Sequence, residues 1–474
     1  MISDRFRWAF CQLDTLRRCL ASSIRNALDE LPTTLDDTYE RALQQIHKEK
    51  WRHAHRLFQC LVAAIRPLRV DELAEIFAIR LDADGSPGLM EGWRPENPEE
   101  ALLSACSTLI TIVENEGLKI VQFSHFSVKE YLTSDRLKTL EVGNTCNFYI
   151  PLDGAHTILA RACLAVLLQL DEKVDNERLR RFPLALYAAR HWVTHAKFEG
   201  VALLIQDDME RLFNPHNPYL ATWVWIYDVL RDESRRPLLK HPLPLDETAL
   251  YYASFCGFSG VANYLICTHE EDVNAWFPSR YYGTPLRVAS FKGHIDVVRI
   301  LLDHDAGVDT IDKTKTPLES AYNSEHLEIM RLLLEHGADV DVLSSSLSDD
   351  LLLHQASRRG QAEVVHLLLQ HNADVNSRGL YNWTPLHAAS YHGQTKVVRL
   401  LLDRVTDINA VGGSDHPLHL ATSENFPEIV QLLLEHGADV NIRDYKNRNP
   451  YQVAKLYRRT GIAQLLLEHG AEKE

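Results

Sequence analysis

No glycine in this 474-residue chain is followed by lysine. A phosphate-cradling Gly-rich loop ending in Gly-Lys-Ser/Thr is therefore absent, and with it the commonest way to hold a nucleoside triphosphate. The cysteines are Cys11, Cys19, Cys60, Cys106, Cys146, Cys163, Cys256 and Cys267. No two are separated by two residues, which removes zinc-knuckle and thioredoxin-like spacings. They lie mostly in apolar helical stretches, so the expectation is reduced, buried thiols in an intracellular protein, cytoplasmic or nuclear. The N-terminus carries no apolar run of signal-peptide type. The most apolar stretch, Ile158 to Leu170, is broken by Arg161 and too short to span a bilayer, so no membrane role is expected. No nucleophile elbow and no Ser-His-Asp or Cys-His arrangement is legible, and the chain reads as a non-enzyme without cofactor or metal. The 50 lysines and arginines face 65 acidic residues, giving a net charge of -15. That balance repels phosphate backbones and argues against nucleic acid as the partner.

What is present is a repeat. Its clearest form is Thr384-Pro385-Leu386-His387-Ala388-Ala389, then Gly393, then Val397-Val398-Arg399-Leu400-Leu401-Leu402. Matching starts fall at Thr248, Thr284, Thr316, Leu351, Thr384, His416 and Asn449, at spacings of 32 to 36 residues. Threonine caps a helix, and proline suits its first turn, where no amide donor is needed. Leu386 points inward, and the small Ala388 and Ala389 admit a neighbouring helix. The second helix carries an apolar ridge, as in Ile429 to Leu434, and stops at Gly437, where a left-handed backbone is required. Gly337 and Gly470 stand at the same place, and in the fourth unit Asn372 substitutes, the next best residue for that conformation. One helix pair cannot bury its own apolar face, but seven stacked pairs share a continuous core. Residues 246 to 474 thus resemble the ankyrin repeat family, whose period is about 33 residues. Two units depart from the pattern. Unit three has Glu319 for the histidine and no glycine between its helices; unit four has Leu351-Leu352 for Thr-Pro after a serine-rich insertion, Ser344 to Asp350. The stack is expected to bend or loosen there.

In the N-terminal half, Leu31 to Tyr39 reads as a helix break followed by a capped helix start. Helices follow through Leu57, Val62 and Ile65, at Asp71 to Ile76, and over Pro98 to Ser107. Leu109 to Glu114 and Leu118 to Phe123 alternate around a turn at Asn115-Glu116-Gly117, as a β-hairpin does. Three helices and a hairpin predict a winged helix. The expected fold class is mainly α, with one β-hairpin and the repeat fingers as its only β structure.

Phe6 to Asp14, Leu31 to Arg41 and Phe123 to Leu132 resemble fungal NACHT-ankyrin proteins, which are NOD-like signal-transducing NTPases. Residues 181 to 228, with Tyr187-Ala188-Ala189-Arg190-His191-Trp192 and Trp223-Val224-Trp225-Ile226-Tyr227-Asp228, are similar to that family's helical bridge. The resemblance implies C-terminal NACHT helices over 1–52, a winged helix over 53–140, a bridge over 141–245 and about seven ankyrin units over 246–474. Without the phosphate loop, nucleotide hydrolysis is not carried over. The chain is expected to be a truncated member of the family.

Four candidate sites follow. His125 lies where the resemblance implies a nucleotide-sensing histidine, now vestigial; the plainer reading is a structural histidine after the hairpin. His191 and His195 are four apart on a helix, but no third metal ligand is evident. A winged helix can also read DNA, yet Glu99 to Asp135 carries six acidic residues and two lysines, which opposes that role. The ankyrin face offers more. Aligned on the repeat, positions after the small-residue pair hold Phe255, Phe291, Arg358, Arg359, Tyr391 and His392, and the fingers hold Tyr281, Lys315, Tyr381, Trp383 and Tyr445. Tyrosine, tryptophan and arginine are the residues that carry interface energy. The chain is therefore read as a non-catalytic protein-interaction scaffold or sensor whose partner is another protein. The alternatives are part of a signal-transducing NACHT ATPase whose nucleotide-binding part lies outside this chain, and a winged-helix DNA-binding regulator.

Overall fold

A computed structural model describes residues 34–81, 88–106, 108–115, 117–139, 145–171, 174–231, 245, 247–276, 283–310, 315–341, 351–413 and 415–473. Two compact units divide at Leu245/Asp246.

In the first unit, helix α1 (Leu35–Gln44) begins at Thr34, whose Oγ1 accepts from Asp37 N at 3.1 Å. The residues before Thr34 lie outside the described set, so the expectations on Phe6 to Asp14 rest on sequence alone. A winged helix follows: α2 (Trp51–Ala63), β1 (Leu68–Arg69), α3 (Val70–Phe77), β2 (Ile79–Arg80), β3 (Gly88–Leu89), α4 (Pro98–Cys106), β4 (Ile110–Asn115) and β5 (Leu118–Phe123). The sheet order is β1-β5-β4, and β2 pairs with β3 separately. The expectation of a single hairpin is corrected here. β1, β2 and β3 have two residues each, too few for an alternation to register. Leu57, Phe58, Leu68, Leu73, Ile76, Leu102 and Val121 form the core. Ile65, expected in α2, lies beyond its end and is exposed.

The remaining helices of this unit are α5 (Phe126–Leu132), α6 (Asp135–Thr139), α7 (Leu152–Leu167), α8 (Asn176–Arg180), α9 (Ala185–Ala196), α10 (Val201–Leu204), α11 (Gln206–Phe213) and α12 (Tyr219–Arg231). α7 lies against α9 and α2, and buried Ala160, Ala162, Ala185, Ala188 and Ala189 let the backbones approach. Trp192 stands edge-on to Trp223 at 5.4 Å, and Trp223 Nε1 donates to Ala189 O at 3.0 Å. Two buried carboxylates bind the winged helix together and to the helices that follow it. Glu72 accepts from Arg66 (2.5 Å) and from Arg69 N (2.8 Å). Glu75 accepts from Arg94 (2.5 Å) and, 109 residues away in sequence, from Leu184 N (2.7 Å).

Among its described residues the second unit holds seven helix pairs, with first helices at Ala249–Cys256, Pro285–Lys292, Pro317–Asn323, Leu352–Arg359, Pro385–Tyr391, Pro417–Ser423 and Pro450–Leu456. Each starts one residue after the start residue read from the sequence. Thr248, Thr284, Thr316, Thr384 and Asn449 cap by their side chains; Leu351 and His416 do not. Turns between the paired helices place a left-handed residue at one fixed spot: Gly257, Gly293, Glu325, Gly360, Gly393, Asn425 and Arg458, with φ from 58° to 81°. At Gly393 a Cβ would also meet the Phe426 ring at 2.5 Å. His294, His326, Gln394 and Phe426, each just after its unit's left-handed residue, lie over the glycine of the preceding unit, and two of them tie to that unit. His294 donates to Phe255 O (3.2 Å), and Gln394 to Arg358 O (3.2 Å).

A second ladder runs along the turns after the second helices. Asn274, Asp309, Asp341, Asn376, Asn409 and Asn441 each offer a side-chain oxygen to a backbone N–H of the next unit. The donors are Gly307, Asp339, Asp374, Thr406, Asp439 and Glu472, at 2.7 to 3.3 Å.

Units three and four meet loosely. Within unit three the missing motif residues are replaced: Glu319 completes a capping box with Thr316, accepting from Thr316 N at 2.9 Å, and Glu325 adopts φ 62° in place of glycine. Across the junction the facing helices touch little. A cleft of about 420 Å³ opens between them, lined by Tyr322, Glu325, Met330, Gly360, Gln361 and Lys396. Arg359 bridges it, lying 5.3 Å from the Tyr322 ring. The serine-rich insertion at 344–350 is outside the described residues.

Candidate protein-binding face

The fifth unit presents an aromatic cluster on its surface. Trp383 closes the finger and lies 5.8 Å from Tyr381 and 5.2 Å from Tyr391, with His387 stacked behind it at 6.4 Å. Tyr381 is 76% exposed and Tyr391 37%; Trp383 is half-buried. Tyr381 sits in a short 3₁₀ turn, Leu380–Asn382, at φ 60°, and Asn382 is also left-handed. A tyrosine in that region costs about 1–3 kcal/mol and persists only where its surroundings hold it. They do: Gly379 N donates to Trp383 O (2.9 Å), and Arg378 spans Asn382 O (3.1 Å) and Val411 O (2.5 Å). The finger is anchored below by His354, whose Nε2 is 3.0 Å from both the Ser377 and Trp383 carbonyls.

The other expected residues fall into smaller groups. Phe255 and Phe291 share the Lys292 ammonium, at 4.5 and 5.6 Å, a cation–π pairing that joins units one and two. Arg358 is half-buried, and Arg359 and His392 are exposed at the equivalent positions of units four and five. Lys315 is half-buried just before the Thr316 cap. Tyr445 is 63% exposed, with Lys446 Nζ 5.0 Å over its ring. Tyr281 lies outside the described residues. Sequence reasoning missed Lys292 and also Leu456 and Tyr457, which are 57% and 51% exposed. Carrying the alignment into the last unit would have found the latter two, since they occupy the places of Tyr391 and His392.

Behind this face the motif histidines His387 and His419 are buried, which favours their neutral form. Burial brings His387 and His419 down to about 4, and His419 Nε2 reaches Arg448 O in the next finger at 2.9 Å.

In the first unit, His125 is the N-cap of α5: its Nδ1 accepts from Ser127 N at 3.3 Å and lies 2.6 Å from Ser127 Oγ, which is 2.8 Å from Tyr39 Oη. His195 is fully buried between Tyr187 Oη and His156 Nδ1, each at 2.9 Å; burial, then the neighbouring His156 and His191, bring it down to about 3. Among the described residues no three His, Cys, Asp or Glu side chains could hold a metal ion together, and no helix is long and apolar enough to cross a membrane. On the wing, Lys119 is paired with Glu99.

With this geometry in place, the comparisons with known proteins fall on the same segments. The ankyrin repeat family matches residues 250–344, 345–412 and 408–474. The C-terminal half is an ankyrin-repeat array. Residues 39–143 match the GPI inositol-deacylase winged helix domain. The azaphilone pigments biosynthesis cluster protein L of Monascus ruber is 33% identical over 317 residues, covering 62% of this chain and 65%, just under two thirds, of that protein. The human ASB11 ankyrin repeat domain is similar at 24% identity and a TM-score of 0.40, over 48% of this chain and all of that one.

Proposed function

We propose that this chain is a non-catalytic protein-interaction scaffold or sensor of the NOD-like-receptor type. Its ankyrin array captures a partner protein, and its winged helix and bridge dock or transmit. The observation that carries this reading is the Tyr381–Trp383–Tyr391 cluster, in which a strained backbone holds a large aromatic ring in solvent. Strain of that kind accumulates where function requires it, and clustered tyrosine and tryptophan are the residues that dominate interface energies. The family matches over 39–143 and 250–474 support the order of parts, and the Monascus ruber relative supports a fungal setting. The NACHT link rests on the sequence resemblance of the winged helix and bridge.

The test is capture of partner proteins by the full chain and by a Tyr381→Ala/Trp383→Ala/Tyr391→Ala variant, with helical signal and melting temperature followed in parallel. Loss of capture with the fold intact is expected. Capture by the intact triple variant would remove the cluster from the binding face.

A further inference from the structure

The inner strip of the array carries a charge opposite to that of the chain. In each unit the last two residues before the inter-helix turn, and the left-handed residue that follows, occupy one aligned place. Among units four to seven that place holds Arg358, Arg359, Arg458 and, one residue earlier, Lys455, against a single carboxylate, Glu424. Arg359, Lys455 and Arg458 are exposed, and Arg358 is half-buried. The second helices of these units expose Glu363, Glu428, Glu435 and Glu468 against Lys396 and Arg399, a net negative balance. A chain of net charge -15 thus concentrates cations where its aromatic cluster also lies.

The order along the strip matters. Unit four supplies two cations, unit five the exposed Tyr381 and Tyr391 with Trp383 between them, unit six the carboxylate of Glu424, and unit seven Lys455 and Arg458 beside exposed Leu456 and Tyr457. Cation groups therefore flank an aromatic centre at a distance of three unit spacings. Packed helices stand about 10 Å apart, so the span is about 30 Å, which an extended peptide rising about 3.3 Å per residue covers in about nine residues. We propose that this strip binds an extended acidic peptide segment, with carboxylates near both ends and an apolar or aromatic side chain between them. A continuous phosphate backbone fits less well, because Glu424 interrupts the cations and the surrounding surface is acidic. The proposal rests on the ankyrin face being the binding face and adds the chemistry of what it takes.

The test is selection of displayed random peptides of about 12 residues on the full chain, followed by fluorescence anisotropy with a labelled selected peptide. Enriched sequences should be acidic at both ends around a central apolar residue. Lys455→Glu/Arg458→Glu, both exposed positions, should weaken binding at least about tenfold, as should Arg358→Glu/Arg359→Glu, and tightness should fall with added salt. Enrichment of neutral or basic peptides, indifference to both charge reversals, or full displacement of the peptide by an oligouridylate would overturn the proposal. The two readings separate cleanly. If the aromatic triple variant loses its partner while the charge reversals keep it, the binding face stands and the acidic preference falls. If only the charge reversals act, the preference stands and the aromatic cluster is not the anchor.

Discussion

Trp383 and Tyr391, eight residues apart, bring the finger and the first helix of unit five together with ring centroids 5.2 Å apart. The finger thereby acquires a floor, and Tyr381, 5.8 Å away, an edge against which to stand. Trp383→Ala should cost partner binding about 2 kcal/mol or more. Tyr381→Gly is the sharper experiment: relieving a left-handed tyrosine should leave stability level or raise it by about 1 kcal/mol while binding weakens. Isothermal titration and chemical denaturation of the same samples would show both signs; a destabilised Tyr381→Gly variant would mean that the ring packs rather than presents.

Two glycines make a contrasting pair. Gly393 combines φ 73° with a Phe426 ring 2.5 Å from where a Cβ would stand, so Gly393→Ala should destabilise the array by about 1–3 kcal/mol. Gly461 lies inside the last second helix with nothing within 4 Å, and Gly461→Ala should stabilise by up to about 1 kcal/mol. Urea denaturation midpoints would check both.

Asp341 holds a ladder position that asparagine holds in units one, four, five and six. Burial raises its pKa above the ordinary 3.8, outweighing the amide it accepts from Asp374, and its Oδ1 accepts no hydrogen bond among the described residues. A raised folded value means that the protonated form is the favoured one: its contribution is full in acid and lost as pH rises. Asp341→Asn should therefore raise the melting temperature at pH 7, and the gain should shrink towards zero as the solution approaches the 3.8 of a free aspartate. A gain unchanged by pH would assign the effect to geometry instead of charge.

The buried histidines give the opposite slope. His387 and His419 are lowered by burial from 6.5 to about 4, so they stabilise the fold as neutral groups. That stability is present above 6.5 and lost as pH falls towards 4, at about 1.4 kcal/mol for each histidine per pH step of one. Melting temperatures of the full chain taken across that interval should fall steadily. A flat profile would show that the imidazoles are hydrated in the folded protein.

Much of this was readable in advance because it depends on local rules. All seven start residues became helix N-caps, and Asn372 took the left-handed place it was assigned, φ 63°, since capping and positive φ are decided within a few residues. The winged helix was legible from three helices and one alternating hairpin, while β1, β2 and β3 were not, because two residues have no period. The left-handed Glu325, Asn425 and Arg458 were harder to read, because without glycine the turn is marked only by its place in the repeat. The same holds for His294, Gln394 and Arg459, three chemically different residues that reach back to carbonyls of the preceding unit. At the proposed binding face, Tyr381, Trp383 and Tyr391 were visible as residue types, but their mutual contact and the left-handed backbone beneath Tyr381 required coordinates.

The ladder running from Asn274 to Glu472 has a consequence for how such a molecule can change over generations. Its acceptors are side chains, but its donors are peptide groups, which every residue except proline supplies. The successor at each rung is glycine, aspartate, threonine or glutamate with equal success. A unit so tethered can be duplicated, exchanged or rewritten on its recognition side without renegotiating its attachment to its neighbours, and new specificities can be explored at little risk to assembly.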